Sequence, residues 1–442
     1  ETDATVALVD RRDRPGGHWI DAYPFVRLHQ SSSFYGVPST DLGQDRKTQR
    51  GYNAGLFELA SRNEILHYYE DLMERRYLPT GRVHYFPMAE YRDGTIVSRI
   101  SGAATEVSVR RKIVQAGIMG DMATIPATHT RSFEVDAGVT CIPPNDLPDA
   151  APGHDHFTVL GAGKTAMDTV LWILAQGVSA DRITWVRPSD YWLFQRDMIM
   201  PHRDFFFSTM GSMVSELESL ASAKSVKEHC LNMERIGRWQ RLDPDVWPTR
   251  FHAAVCSKIE IEALRQVSDV VRLGHVRHLQ AERMVLAEGV REASAKTLYI
   301  DCTARGGVIL NDPEAKVFDG DTINLFMLRP FQPVFSAALI AHLEATVPDE
   351  KLRQQASQVT DFFNTPAEAL MVQRQGYINQ HVWNQVPGIK DWIDSCRLNA
   401  GMHVLKGLGP DDAEKMQLLG KIGPLTAAAV ENIPKMVGSE EG

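Results

Sequence analysis

Short apolar runs separated by longer amphipathic stretches set the pattern of this chain. Residues 5–10, TVALVD, are apolar and β-branched, which predicts a short buried strand, though any edge strand could read the same way. Residues 157–160 and 182–187 predict two more strands, the latter ending before Pro188, and 298–300 a fourth. Helical spacing predicts a helix over 55–75, with an apolar stripe of Leu56, Leu59, Ile65, Leu66, Tyr69 and Leu72. Further helices are predicted over 210–230 and 337–344, and residues 350–442 read as helical. A β portion is predicted over 83–120, with strand character at 104–114.

The second strand runs directly into Gly161-Ala162-Gly163-Lys164-Thr165-Ala166, a G-x-G-x-x-A turn that opens a helix. Gly161 permits the tight turn, Gly163 lets a phosphate reach the helix N-terminus, and Ala166 allows close packing of helix on strand. Lys164 and Thr165 stand beside that phosphate, and Gly177 is a helix-ending glycine. Strand, glycine turn, helix and strand in this order predict a dinucleotide site. Where an NAD site places an acid at the end of the next strand, this chain has Arg187, which can pair with a 2′-phosphate. That favours NADPH, with NADH possible; Asp190 nearby acts against it.

Composition narrows the partners. Lys and Arg number 47 against 56 Asp and Glu, a net charge of −9 with no long basic run, which argues against nucleic acid or an anionic membrane. No apolar run approaches the roughly 20 residues of a membrane helix. The five cysteines are scattered and form no Cys-x-x-Cys pair, which predicts a reducing, cytoplasmic setting and neither a structural metal knuckle nor a redox dithiol. No metal site is predicted. Cys302 reads as a packed thiol, since no His or Asp partner stands at a telling spacing.

After TVALVD come Asp10, Arg11 and then Arg14-Pro15-Gly16-Gly17-His18-Trp19. An acid closing a strand, followed by Gly-Gly-x-Trp, resembles the flavoproteins with two dinucleotide-binding domains, in particular the flavin-containing and Baeyer–Villiger monooxygenase group. The resemblance implies an α/β fold of two Rossmann-like dinucleotide-binding domains, the NAD(P) domain inserted in the FAD domain. On that reading residues 1–150 form the first part of the FAD domain, 154–300 the NAD(P) domain and 301–345 the return to the FAD domain. Residues 190–250 are an aromatic-rich helical insert, either a lid over a substrate or the core of a subdomain, and 350–442 a C-terminal helical region. In such a unit the acid lies about 20 residues after the glycine turn, so roughly 20–30 further residues with the first strand and turn are expected upstream of this sequence.

By the same resemblance Asp10 holds the FAD ribose, with Arg11 beside it. Gly16, Gly17, His18 and Trp19 approach the pyrophosphate and flavin, and Leu28 lies in a segment, Arg27 to Ser33, that runs past the flavin ring. His29, Gln30 and Arg196 are the candidates to stabilise activated oxygen. Thr303, in a Cys-Thr-Ala run resembling the Ala/Cys-Thr-Gly segment of the group, touches the nucleotides, and Gln332 and Phe335 form the last FAD contacts. The implied activity is hydride transfer from NADPH to flavin and then oxygenation, with O2, of a small apolar or aromatic substrate, in a possible homodimer. The Phe-x-Gly-x-x-x-His-type fingerprint of the group is absent from 141–148. An NAD(P)H-dependent reductase, dehydrogenase or oxidase without oxygen insertion, or a non-catalytic binding protein of this fold, therefore stands beside the monooxygenase reading.

Overall fold

The computed structural model describes residues 2–117, 125–294, 296–305, 310, 312, 314–409 and 411–439. Gly120, Gly306 and Pro410 lie outside them. The architecture is α/β. In the first unit β1 (Val6–Val9), helix α1 (Arg62–Leu72) and β2 (Val83–Phe86) follow in order, and β1 pairs with β2 in parallel; the strand expected to be buried is exposed at Val6, Ala7 and Leu8, because among the described residues its sheet has only these two strands. The predicted helix over 55–75 is shorter at its start, because Ser61 and Glu64 form a capping box that fixes the first turn. Leu56 and Leu59 are buried from the preceding loop instead. The predicted strand stretch 104–114 divides into Ala104–Glu106 and Ile113–Gln115, which join different sheets.

The central sheet is built from β3 (Cys141–Ile142), β4 (His156–Leu160), β5 (Ile183–Val186), β9 (Val270–Val271) and β10 (Thr297–Asp301). Their order is β9-β5-β4-β10-β3, all parallel. A parallel sheet needs crossovers and cover on both faces, which is why β5 and β10 are buried at every position rather than alternating. Helices α2 (Lys164–Ala175) and α5 (Lys258–Leu264) cover one face through Met167, Val170, Ile173, Ile261 and Leu264. A small meander including Val276–Gln280 and Arg283–Leu286 covers the other through Leu279, Met284 and Leu286. From β4 the chain winds outward to β5 and β9, then returns to place β10 on the other side of β4. The crevice at the carboxyl ends of β4 and β10 is therefore the switch point where such sheets take ligands.

Between β5 and β9 lies the aromatic-rich insert, with strands β6 (Tyr191–Gln195), β7 (Trp239–Arg241) and β8 (Arg250–Cys256) and helices α3 (Ser212–Ser222) and α4 (Val226–Arg235). The single helix expected over 210–230 is two, because Ala223 turns extended and Ser225 caps a new start by accepting from the Glu228 amide. Trp192, Phe194, Phe206 and Trp239 are buried, so half of the eight aromatics of 190–250 are core, whereas Phe207 and Trp247 are exposed. Helix α6 (Pro333–Thr346) starts four residues earlier than predicted, with Pro333 at its first turn. Helices α7 (Pro366–Gln385) and α8 (Ile422–Gly438) add Leu370 and Ile433 to the core of the insert. Among the described residues no helix is long and apolar enough to cross a membrane, and no disulfide joins the five cysteines.

His229, fully buried in α4, shares a 2.9 Å hydrogen bond between its Nδ1 and the Ser219 hydroxyl. Burial, and then the Arg238 charge, pushes its pKa down to about 3. The unfolded chain takes up that proton near 6.5 and the native state does not. Stability is thus full above about 6.5 and falls as pH drops toward 3. In His229→Gln the loss of thermal stability between pH 7 and pH 5 is expected to be smaller than in the parent; melting curves with equal losses contradict this.

Candidate nucleotide-binding site and its charged seam

Gly161 has φ +119°, a region side chains avoid, and a Cβ built there would stand 2.7 Å from the Cys302 carbonyl oxygen. Only glycine lets β4 and β10 close on each other here. The turn is held from three sides. The Gly161 amide donates to the Val186 carbonyl at 3.0 Å, the Cys302 amide to the Leu160 carbonyl at 2.9 Å, and the Trp185 indole to the Gly161 carbonyl at 2.8 Å. Gly163 caps α2 without any side-chain hydrogen bond, and a Cβ on it would meet nothing within 4 Å. The helix thus offers its first amides and its dipole to an anion, over a backbone that a phosphate can approach.

Beside this turn, the 17–60 segment is tied to the second unit by a buried polar seam. Lys164 pairs with Asp168 one helical turn on, and Asp168 also accepts from the Tyr23 hydroxyl at 2.7 Å. Burial would lower the Lys164 ammonium, but Asp168, then Cys256 and Glu260, raise it above its ordinary value, so it stays charged. Arg196 donates to the His29 carbonyl, to the Val255 carbonyl at 3.1 Å and to Glu260 at 3.2 Å. Its Nε is buried without a protein partner among the described residues. Burial would raise the Glu260 carboxyl; Arg196, then Lys164, hold it down at about 2, helped by the Ser257 amide at 2.6 Å and Asn53 Nδ2 at 2.9 Å.

His29 itself is exposed, yet the protein around it desolvates its ring. Burial, then Lys164 and Arg196, push its pKa down to about 3, so the imidazole is neutral across the physiological range. Ser31 and His202 extend the seam, with Ser31 Oγ and His202 Nε2 3.0 Å apart and Asp45 3.3 Å from His202 Nδ1.

Of the residues expected at the site, Arg196 pairs with Glu260, and His29 and Lys164 feel its charge. Asp10 ends β1 and accepts from the Arg12 amide at 2.9 Å, while the Arg11 carbonyl accepts from Arg99 at 2.9 Å. Gly16 and Gly17 have φ +139° and +55° and lead into the short turn of His18 and Trp19. Desolvation by the surrounding protein, then Arg12, lowers the His18 pKa; Trp19 is buried, its indole donating to the Tyr35 hydroxyl at 2.7 Å. Leu28 lies in the core beside α1, and Gln30 donates to the Phe34 carbonyl at 3.0 Å. The Thr165 carbonyl accepts from the Thr169 hydroxyl, and the Thr303 hydroxyl donates to Asp301 at 2.7 Å. Arg187 is buried against Asp190. Gln332 and Phe335 take their partners elsewhere: Gln332 accepts from Arg329 at 3.3 Å, and Phe335 is fully buried under the Arg329 guanidinium.

Sequence reasoning missed Tyr23, Asn53, Asp168 and Glu260. Two signals were present: Asp168 stands four residues after Lys164, and Ser257 to Glu260 spells a capping box.

No protein-family model matches the chain. Among solved structures, cyclohexanone monooxygenase from Rhodococcus sp. Phi1 bound to NADP+ aligns with a TM-score of 0.46 at 12% identity, over 77% of this chain and 80% of that one. Reduced Bacillus anthracis CoADR-RHD aligns with a TM-score of 0.37 at 12% identity, over 78% and 53%. In sequence the likeness is far higher: uncharacterized protein Rv2000 of Mycobacterium tuberculosis and uncharacterized protein Mb2023 of Mycobacterium bovis are each 38% identical over 399 residues, 90% of this chain and 73% of theirs. At that identity and coverage the chain belongs to the family of these mycobacterial proteins.

Proposed function

We propose that the protein is an FAD-dependent oxidoreductase that uses NAD(P)H, and that it is of the monooxygenase type. The observation that carries the reading is the glycine cradle at Gly161, placed at the switch point of a parallel sheet beside a charge-balanced seam. Gly161, Gly163, Lys164 and Thr165 would hold the nicotinamide dinucleotide by its phosphates. Asp10, Arg11, Gly16, Gly17, His18, Trp19 and Leu28 would hold or back the flavin nucleotide, with Thr303, Gln332 and Phe335 supporting it from the returning segment.

A flavin bound here would supply the redox chemistry, accepting a hydride from reduced nicotinamide and passing electrons to O2. This chain's own groups set the conditions. Neutral His29 can donate or accept a hydrogen bond beside the seam without carrying charge. Arg196, itself buried, would position His29 through its carbonyl and place a fixed positive charge behind it. Lys164 and Arg196, each matched by a carboxylate, hold positive charge near the reacting end without requiring counter-ions from solvent.

The oxygenating step is tested by partition of electrons. With FAD, NADPH and a panel of small apolar ketones, sulfides and aromatics, NADPH consumption is expected to match oxygenated product for at least one compound class. Stoichiometric hydrogen peroxide with every compound would reduce the assignment to an oxidase or reductase.

A further inference from the structure

The carboxyl ends of β4, β5 and β9 lie side by side. The Gly161 amide bonds the Val186 carbonyl at 3.0 Å, and the Arg187 amide bonds the Val271 carbonyl at 2.9 Å. Two arginines therefore leave adjacent strands at one edge, Arg187 after β5 and Arg272 after β9. This is where the second strand of a dinucleotide unit meets the adenosine ribose.

The two arginines are not equivalent. The Arg187 side chain is 5% exposed and its guanidinium is engaged by Asp190, itself 6% exposed. Asp190 also accepts from Arg272 Nε at 3.0 Å, so one carboxylate braces both cations. Arg272 is 33% exposed and reaches outward to Asp243 at 2.7 Å, which is 30% exposed. What a ligand meets at this edge is thus one accessible cation, Arg272, and one accessible carboxylate, Asp243.

We propose that Arg272, not Arg187, selects the 2′-substituent of the adenine ribose, and that Asp243 competes for it against a 2′-phosphate. Arg187 and Asp190 are then positioning residues that hold Arg272 by its Nε and leave its outer edge for the ligand. A 2′-phosphate takes Arg272 from Asp243, whereas a 2′-hydroxyl donates to Asp243 and leaves the pair intact. The inference rests on the reading of the glycine turn as a dinucleotide site, and it makes discrimination between NADPH and NADH a property of the Arg272–Asp243 pair.

Calorimetric titration with 2′,5′-ADP and 5′-AMP tests this without flavin or turnover. Arg272→Ala is expected to weaken 2′,5′-ADP by about ten- to a hundredfold, the worth of a charge-assisted contact, while 5′-AMP changes little. Asp243→Asn is expected to move the other way and tighten 2′,5′-ADP, which keeps the test open if the alanine variant folds poorly. Equal weakening of both ligands in Arg272→Ala, or no gain in Asp243→Asn, overturns the selector role while leaving the site a nucleotide site. Failure of the parent protein to bind either ligand overturns the dinucleotide reading itself.

Discussion

Gly161→Ala is expected to abolish measurable binding of NAD(P)H and to destabilise the protein. The alanine must hold φ +119°, outside the range of L side chains, a strain of about 1–3 kcal/mol. Its Cβ must also fit 2.7 Å from the Cys302 carbonyl oxygen and 3.1 Å from its carbon. Both are backbone atoms of β10's exit, which cannot swing aside as a side chain would, so β4 and β10 separate at their carboxyl ends. Gly163→Ala is the contrasting case. Gly163 has φ −78° and open space where its Cβ would stand, so thermal stability is expected within about 0.5 kcal/mol of the parent. On the proposed reading the added methyl would stand where a pyrophosphate passes, and nucleotide affinity is expected to fall. Thermal melts with and without NADPH, run on both variants, separate the two effects: one variant loses stability and ligand response, the other only the response. Equal behaviour of the two would contradict the distinct roles of the glycines.

The second large effect is at the seam. In Arg196→Met, Glu260 stays buried without its cation, and the His29 and Val255 carbonyls lose their donors. Removing one partner of a buried pair costs about 3–5 kcal/mol. Arg196→Met/Glu260→Met is expected to recover much of that in urea unfolding, since two apolar side chains need no compensation in the same space. The Glu260 carboxyl is depressed in the native state, so its contribution is present above about 4.5 and lost as pH falls through about 2. The stability gap between the parent and Glu260→Gln should shrink across that window. A gap that stays constant down to pH 2 would mean that the ionised carboxylate is not what the seam relies on.

Local chemistry made much of the fold legible before the structure. A G-x-G-x-x-A turn between two short apolar runs specifies strand, tight turn and helix from neighbours alone, and Gly161, Gly163 and α2 stand where those rules put them. Ser61 and Ser225 each carried a start signal that periodicity over 55–75 and 210–230 overrode, because capping depends on one side chain and the apolar stripe on many. The seam was illegible for another reason. Tyr23 meets Asp168, and Asn53 meets Glu260, across 145 and 207 residues, and no local pattern encodes such pairings. Arg187 shows the limit of a motif read singly: its position at the strand end was clear, but its capture by Asp190 depends on the turn between them and on Arg272 arriving from β9.

One chain is expected to bring reduced nicotinamide to a flavin at the Gly161 turn. The most direct test is the absorption spectrum of the purified protein supplied with FAD, recorded anaerobically before and after NADPH. Loss of the oxidised flavin bands on addition of NADPH, with no loss in Gly161→Ala, is the predicted result. A protein that retains no FAD, or whose bound flavin stays oxidised with both NADPH and NADH in excess, would contradict the account.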